Sequence, residues 1–166
     1  RVNGLPGKRA ALRSGASFFQ HQGTGPVKGR QAGPHAHSVN PTPDNKYAVA
    51  CDLGTDEIRV YSLADATGQM QPHKTVKLTP GSGPRHFAWH PNGRYGYSVN
   101  ELASTVTAFT YAAGDLQEIH SASTLPDGFK GNNSTAEIRV HPSGRWLYAS
   151  NRGEDSIAAF RVDAKT

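Results

Sequence analysis

Hydrophobic and polar positions alternate along this chain in short bursts rather than at helical spacing. Ile58/Val60, Val106/Ala108 and Ile157/Ala159 each fall two residues apart, the period of a strand with one buried face. Turn residues separate the bursts, and the whole pattern recurs. Aligned on Pro43, Pro91 and Pro142, the chain reads TPDNKYAVACDLGTDEIRVY (42–61), HPNGRYGYSVNELASTVTAF (90–109) and HPSGRWLYASNRGEDSIAAF (141–160), with periods of 48 and 51 residues. A repeat of this length made of short strands predicts the blades of a β-propeller.

Every copy predicts the same order of elements. An inner strand (86–89, 137–140) leads into a tight turn, HPNG (90–93) or HPSG (141–144), whose Pro, Asn/Ser and Gly suit a type I turn; TPDN (42–45) is a weaker version. A second strand follows over 46–51, 94–99 and 145–150 and ends on Asp52, Asn100 or Asn151, which favour a turn. Tyr47, Tyr95 and Trp146 match one another and are read as packing residues. Third strands are predicted over 57–63, 105–111 and 156–162, and outer strands over 70–78 and 116–124. Residues 16–22 (ASFFQHQ) read as the outer strand of a preceding blade.

The expected fold is therefore all-β, a propeller fragment of about three four-stranded blades from a larger ring, which the family resemblance given below makes seven-bladed. Residues 1–30 supply an outer strand and linker, 31–80 and 81–130 one blade each, and 131–166 an incomplete blade of the same domain. A closed ring has roughly 4–8 blades, so three copies cannot close one. The chain is expected to continue in a longer protein and, in isolation, to leave apolar faces and edge strands uncovered.

Composition agrees with this: 18 Gly and 11 Pro in 166 residues imply many turns. No apolar run approaches the roughly 18 residues of a membrane span, so no membrane partner is expected. A cytoplasmic setting is the expectation. The lone Cys51 reads as a strand residue. The net charge of +5 sits at one end: residues 1–43 hold six Lys/Arg and no Asp or Glu. That stretch has only Phe18 and Phe19 as aromatics, too few for nucleic-acid binding, and reads instead as a solvated loop near an anionic-substrate site.

Repeat alignment gathers the chemistry. His37 and Arg85 stand six residues before their prolines; Glu101 and Arg152 stand ten after theirs. The first pair opens an inner strand and the second closes a second strand. Those strands run antiparallel, so all four belong to one edge, drawn from three blades. Two arginine forks suit a phosphate or carboxylate. Glu101 or His37 could take a proton from water. A Glu among arginines should have a lowered pKa, which weakens it as a base and points to His37, with Glu101 orienting water or imidazolium. His35 and His86 flank the cluster as candidate substrate contacts. Glu137, aligned with His86 and Ser38, reads as a buried partner for an Arg. His90 and His141 read as structural; His21, His73 and His120 as solvated. A Glu101–Arg152 salt bridge that merely closes the rim is the competing reading. No nucleophile elbow, zinc spacing or phosphate-binding loop is present, and neither metal nor cofactor is expected.

GPHAHSVNPTPDN (33–45), DLGTDEIRVY (52–61), GSGPRHFAWHPNGRYGYSVNELASTV (81–106) and HPSGRWLYASNR (141–152) resemble the lactonase family of seven-bladed propellers. That family includes bacterial 6-phosphogluconolactonase and the fungal carboxy-cis,cis-muconate lactonizing enzyme. The resemblance runs from about residue 17 onward, and GPRH with a Glu sixteen residues after its Arg is its most specific part. It implies a metal-independent site in which His37, Arg85, Glu101 and Arg152 match the family's polar cluster. The implied activity is hydrolysis of a small anionic sugar lactone such as 6-phosphogluconolactone. A muconate-type cycloisomerase and a non-catalytic binding platform are the alternatives.

Overall fold

The computed structural model describes residues 17–64 and 67–163. They form eleven antiparallel strands in three sheets. The first sheet is β1 (Ala36–Pro41), β2 (Tyr47–Asp52), β3 (Glu57–Leu63) and β4 (Met70–Lys77), in that spatial order. The second repeats it with β5 (Pro84–Trp89), β6 (Tyr95–Asn100), β7 (Thr105–Ala112) and β8 (Asp115–Ser123). The third comprises β9 (Ser134–Val140), β10 (Trp146–Arg152) and β11 (Ile157–Arg161). The inner strands neighbour one another, β1 against β5 and β5 against β9, so the sheets stack as blades. Among the described residues no helix is long and apolar enough to cross a membrane.

The repeated turns close as the sequence predicts. Backbone N–H groups of Asn45, Gly93 and Gly144 donate to the carbonyls of Thr42, His90 and His141 at 2.8, 2.9 and 2.8 Å. The closing residue is left-handed in each copy, with φ of 56°, 70° and 72°, which suits Gly and is tolerated by Asn. Polar side chains at the third turn position, Asp44, Asn92 and Ser143, accept from the N–H two residues on. His90 is structural, as expected: Nδ1 accepts from Asn92 N–H and Nε2 donates to the Gly144 carbonyl of the next blade.

Apolar residues from neighbouring sheets fuse into two cores. Val49, Cys51, Ile58 and Val60 of the first blade meet Phe87, Phe109 and Leu116 of the second. Tyr97, Val99 and Val106 of the second meet Ile138, Leu147 and Ala149 of the third. Cys51 is fully buried there, and burial pushes its thiol up to about 12. Tyr47 packs at the first core's edge, and Tyr95 joins the second. Trp146, their counterpart, is 40% exposed instead: no further sheet covers it among the described residues.

Residues 17–22 read as the outer strand of a preceding blade, and no sheet of such a blade is among the described residues. Residues 17–22 pair with no strand; Ala16 lies outside the described residues. The segment is held by side chains instead. Ser17 Oγ accepts from Met70 N–H, and Phe19 stacks on Tyr61. His21, expected to be solvated, is buried between Asp52, at 2.5 Å from Nδ1, and the Tyr61 hydroxyl, at 2.8 Å from Nε2. The Asx residue ending β2 thus fixes a foreign segment as well as its own turn.

Candidate active site

Three β-bulges shape the rim at the start of the inner strands. In β1, Ala36 pairs with Asp52 and Ser38 with Cys51, so His37 is the extra residue. In β5, Pro84 pairs with Asn100 and His86 with Val99, leaving Arg85 extra. In β9, the corresponding slip lies between Thr135 and Ile138 and involves Ala136, the residue six before Pro142. A bulge breaks the alternation of the pleat and re-aims a side chain. Here it does so at one height in three blades, and two of the three positions hold candidate site residues.

Glu101 lies where β6 ends, at that same rim. Its N–H donates to the Gly83 carbonyl at 2.8 Å, and its side chain is only 4% exposed. Three guanidinium groups hold the carboxylate. Arg85 Nε donates to Oε2 at 2.8 Å, Arg30 Nη2 donates to Oε1, and Arg152 Nη2 forms an ion pair with Oε2 at 3.0 Å. Burial alone would raise the Glu101 pKa, but the hydrogen bond and charge of Arg30, then Arg152 and Arg85, overrule it and hold it below the usual carboxylate range. The carboxylate is therefore a permanent anion.

Arg85 is locked in place. Beyond Glu101, its Nη1 donates to the Ala136 carbonyl at 2.6 Å, reaching the neighbouring bulge. The same Nη1 meets His86 Nε2 at 3.2 Å. A guanidinium can only donate, so Nε2 accepts and the His86 proton sits on Nδ1. From there it is donated to Glu137 Oε2 at 2.8 Å. Glu137 also pairs with Arg139 at 3.0 Å. It does find an Arg partner, but its side chain is 42% exposed rather than buried.

His37 stands edge-on to His86, with ring centroids 5.2 Å apart. Partial desolvation first, then the charge of Arg85 and the nearness of the His86 ring, lower its pKa from the ordinary imidazole value, against an opposing pull from its own backbone hydrogen bond and from Glu101. A lowered pKa favours the neutral imidazole, the form that can accept a proton. His86 has its acceptor nitrogen occupied by Arg85. The bulges and the β6 terminus thus bring His37, Arg85, His86, Glu101 and Arg152 together. His35 is not brought in: its N–H is tied to Asp52 at 2.8 Å, and it makes no hydrogen bond to the cluster among the described residues.

Arg30 is the member that the repeat alignment could not supply. It precedes the first copy and has no counterpart in the others. Its turn closes through Arg30 N–H and Gln31 N–H, both donating to the Val27 carbonyl, at 3.1 and 2.9 Å. Buried Gln31 clamps that turn, donating to the Leu53 carbonyl at 2.8 Å and to Asp56 Oδ1 at 2.7 Å. Asp56 also accepts from Gly81 and Gly83 N–H, at 2.7 Å each, in the loop that leads to Arg85. One buried carboxylate thereby sets the position of both arginines. The only hint in sequence was the acid-free basic stretch of residues 1–43.

The family model "Lactonase, 7-bladed beta-propeller" matches residues 2–166. The chain belongs to the lactonase family of seven-bladed β-propellers. It is 41% identical over 155 residues to the 6-phosphogluconolactonase of Bacillus subtilis, covering 92% of this chain and 44% of that one. The 6-phosphogluconolactonase of Formosa agariphila is 40% identical over 154 residues, covering 88% and 42%. Among solved structures, the periplasmic gluconolactonase of Pseudomonas aeruginosa superposes with a TM-score of 0.83 at 34% identity, covering 90% of this chain and 43% of that one. The chain thus spans less than half the length of these lactonase relatives.

Proposed function

We propose that this chain carries the active-site rim of a lactonase that hydrolyses a small anionic sugar lactone, 6-phosphogluconolactone being the leading substrate. The observation that carries the reading is the Glu101 cluster. Three guanidinium groups surround one buried carboxylate, a local sum of +2, beside an imidazole whose pKa is lowered. The surplus positive charge recruits an anion, and His37 supplies the base that a hydrolysis needs.

The steps follow from these groups. His37 accepts a proton from water as the water oxygen bonds to the lactone carbonyl carbon. Charge develops on the carbonyl oxygen, where guanidinium N–H groups stabilise it. Collapse breaks the ring C–O bond, and the imidazolium returns its proton to the leaving alkoxide. The product is the open-chain hydroxy acid. Glu101 takes no proton in this scheme; both its oxygens are occupied by arginine, and it acts as the fixed anion that lets three cations share a small space. The names of the relatives support the same substrate class. A phosphorylated lactone goes with a cytoplasmic setting, where sugar phosphates are retained.

The test is hydrolysis of 6-phosphogluconolactone by the full-length protein. Wild type is expected to turn it over, with kcat/KM falling about 10²-fold in Glu101→Gln and in Arg85→Ala, the scale for losing one preorganised electrostatic group. Turnover of carboxymuconate and not of either lactone would move the site to the cycloisomerase. Full activity in both variants would reduce the cluster to a salt bridge that closes the rim.

A further inference from the structure

The three arginines around Glu101 do not stand alike. The Arg85 side chain is 17% exposed and spends its Nε and Nη1 on Glu101, the Ala136 carbonyl and His86. Arg30 and Arg152 are each 50% exposed. Arg30 gives the protein only Nη2, and Arg152 Nη1 has no protein partner among the described residues. The two half-exposed guanidinium groups meet opposite oxygens of one carboxylate, Oε1 and Oε2, so they are neighbours across it.

We propose that Arg30 is a specificity-determining residue: with Arg152 it forms a two-armed subsite for the remote oxyanion of the substrate, a phosphate ester, while Arg85 serves the reacting carbonyl. The proposal rests on the lactonase reading above and deepens it. Three features support a built subsite rather than a stray surface arginine. The Arg30 backbone is fixed by a turn whose next residue, Gln31, is 1% exposed and hydrogen-bonded to buried Asp56 and to the Leu53 carbonyl. Its guanidinium is oriented by a carboxylate that is itself buried. Its remaining donors form a planar fork suited to bidentate contact with a phosphate oxygen pair.

Glu101 also explains why the two arms stay apart from Arg85 in function. A single anion shared by three cations leaves each arm under-neutralised. A dianionic phosphate ester completes the charge balance, whereas an uncharged sugar hydroxyl does not. Selectivity for a phosphorylated over an unphosphorylated lactone is then a property of this subsite, expressed in substrate binding.

The experiment compares 6-phosphogluconolactone with glucono-δ-lactone in the full-length protein, for wild type, Arg30→Ala and Arg30→Lys. The expected result for Arg30→Ala is a fall of at least about tenfold in the ratio of the two kcat/KM values, carried by KM for the phosphorylated lactone, with partial recovery in Arg30→Lys. Equal losses on both substrates, leaving the ratio at the wild-type value, would overturn the subsite and return Arg30 to holding Glu101. Titration with inorganic phosphate separates this from the activity itself. If neither lactone is hydrolysed, the lactonase reading fails. The subsite still stands if wild type binds phosphate at least about fivefold tighter than Arg30→Ala, and falls if the two bind alike. A carboxylate-bearing lactone that shows the same Arg30 dependence as the phosphorylated one would overturn the assignment to phosphate.

Discussion

At the scale of single residues, the site separates groups that titrate from groups that do not. Three arginines hold the Glu101 pKa below the usual carboxylate range, and burial and Arg85 hold that of His37 below the ordinary imidazole value. Because the His37 pKa is lowered, its base form persists below pH 6.5. The acid limb of kcat/KM for lactone hydrolysis is therefore expected below pH 6.5, and His37→Gln is expected to abolish that limb along with most of the rate. An acid limb centred above 6.5, or one unchanged in His37→Gln, would remove His37 from the base role. The sign for stability runs the same way. A histidine whose folded pKa lies below its unfolded value stabilises the fold above the unfolded pKa, and that contribution is lost as pH falls through the folded one. His37, Arg85, Glu101 and Arg152 were legible in sequence because the repeat sets their height in each blade. Arg30 was not, since it has no repeat partner and reaches the site through the Gln31–Asp56 bond, a tertiary fact.

At the scale of elements, a proline-anchored turn and a one-residue bulge repeat three times. The turn was visible in sequence because Pro, Gly and Asx residues have local conformational preferences. The bulge was not, because an extra residue in a ladder leaves no compositional mark; it shows only in the pairing of Ala36 with Asp52 and Ser38 with Cys51, and in its equivalents. Residues 17–22 show the same limit: side-chain bonds from Ser17 and His21 hold the segment against the first sheet, and such bonds leave no mark in a strand pattern. The turns also join blades. A Cβ at Gly144, where φ is 72°, would lie 2.5 Å from His90 Nε2, whereas one at Gly128, where φ is 78°, would meet nothing within 4 Å. Both Ala substitutions carry the left-handed penalty of about 1–2 kcal/mol. Gly144→Ala must also push the His90 ring off the blade contact, adding roughly another 1–2 kcal/mol for the lost hydrogen bond. Thermal unfolding of the two variants measures the difference. Equal losses would show that the His90 contact contributes nothing between blades.

At the scale of the whole molecule, stability depends on faces shared between neighbouring sheets rather than on a core inside each. Cys51 reports on one such face. Its thiol is fully buried between the first two sheets, with its pKa pushed up to about 12, so the native protein is expected not to react with an aromatic disulfide reagent. Labelling then measures how often that face opens. Phe109→Ala empties the same core, and Leu147→Ala empties the core between the second and third sheets. Truncations of this kind cost about 2–5 kcal/mol each. In a stack where each repeat chiefly contacts its neighbours, damage should act mostly on the adjoining face. Phe109→Ala is therefore expected to accelerate Cys51 labelling at least about tenfold more than Leu147→Ala in the full-length protein. The Glu101 cluster bears on the same comparison, because Arg85 bridges to the Ala136 carbonyl and Arg152 to Glu101 across the second face. Those polar ties would couple the two faces if they were strong enough. Equal acceleration by both truncations would mean that they are, and that the three sheets open as one cooperative unit around the candidate active site.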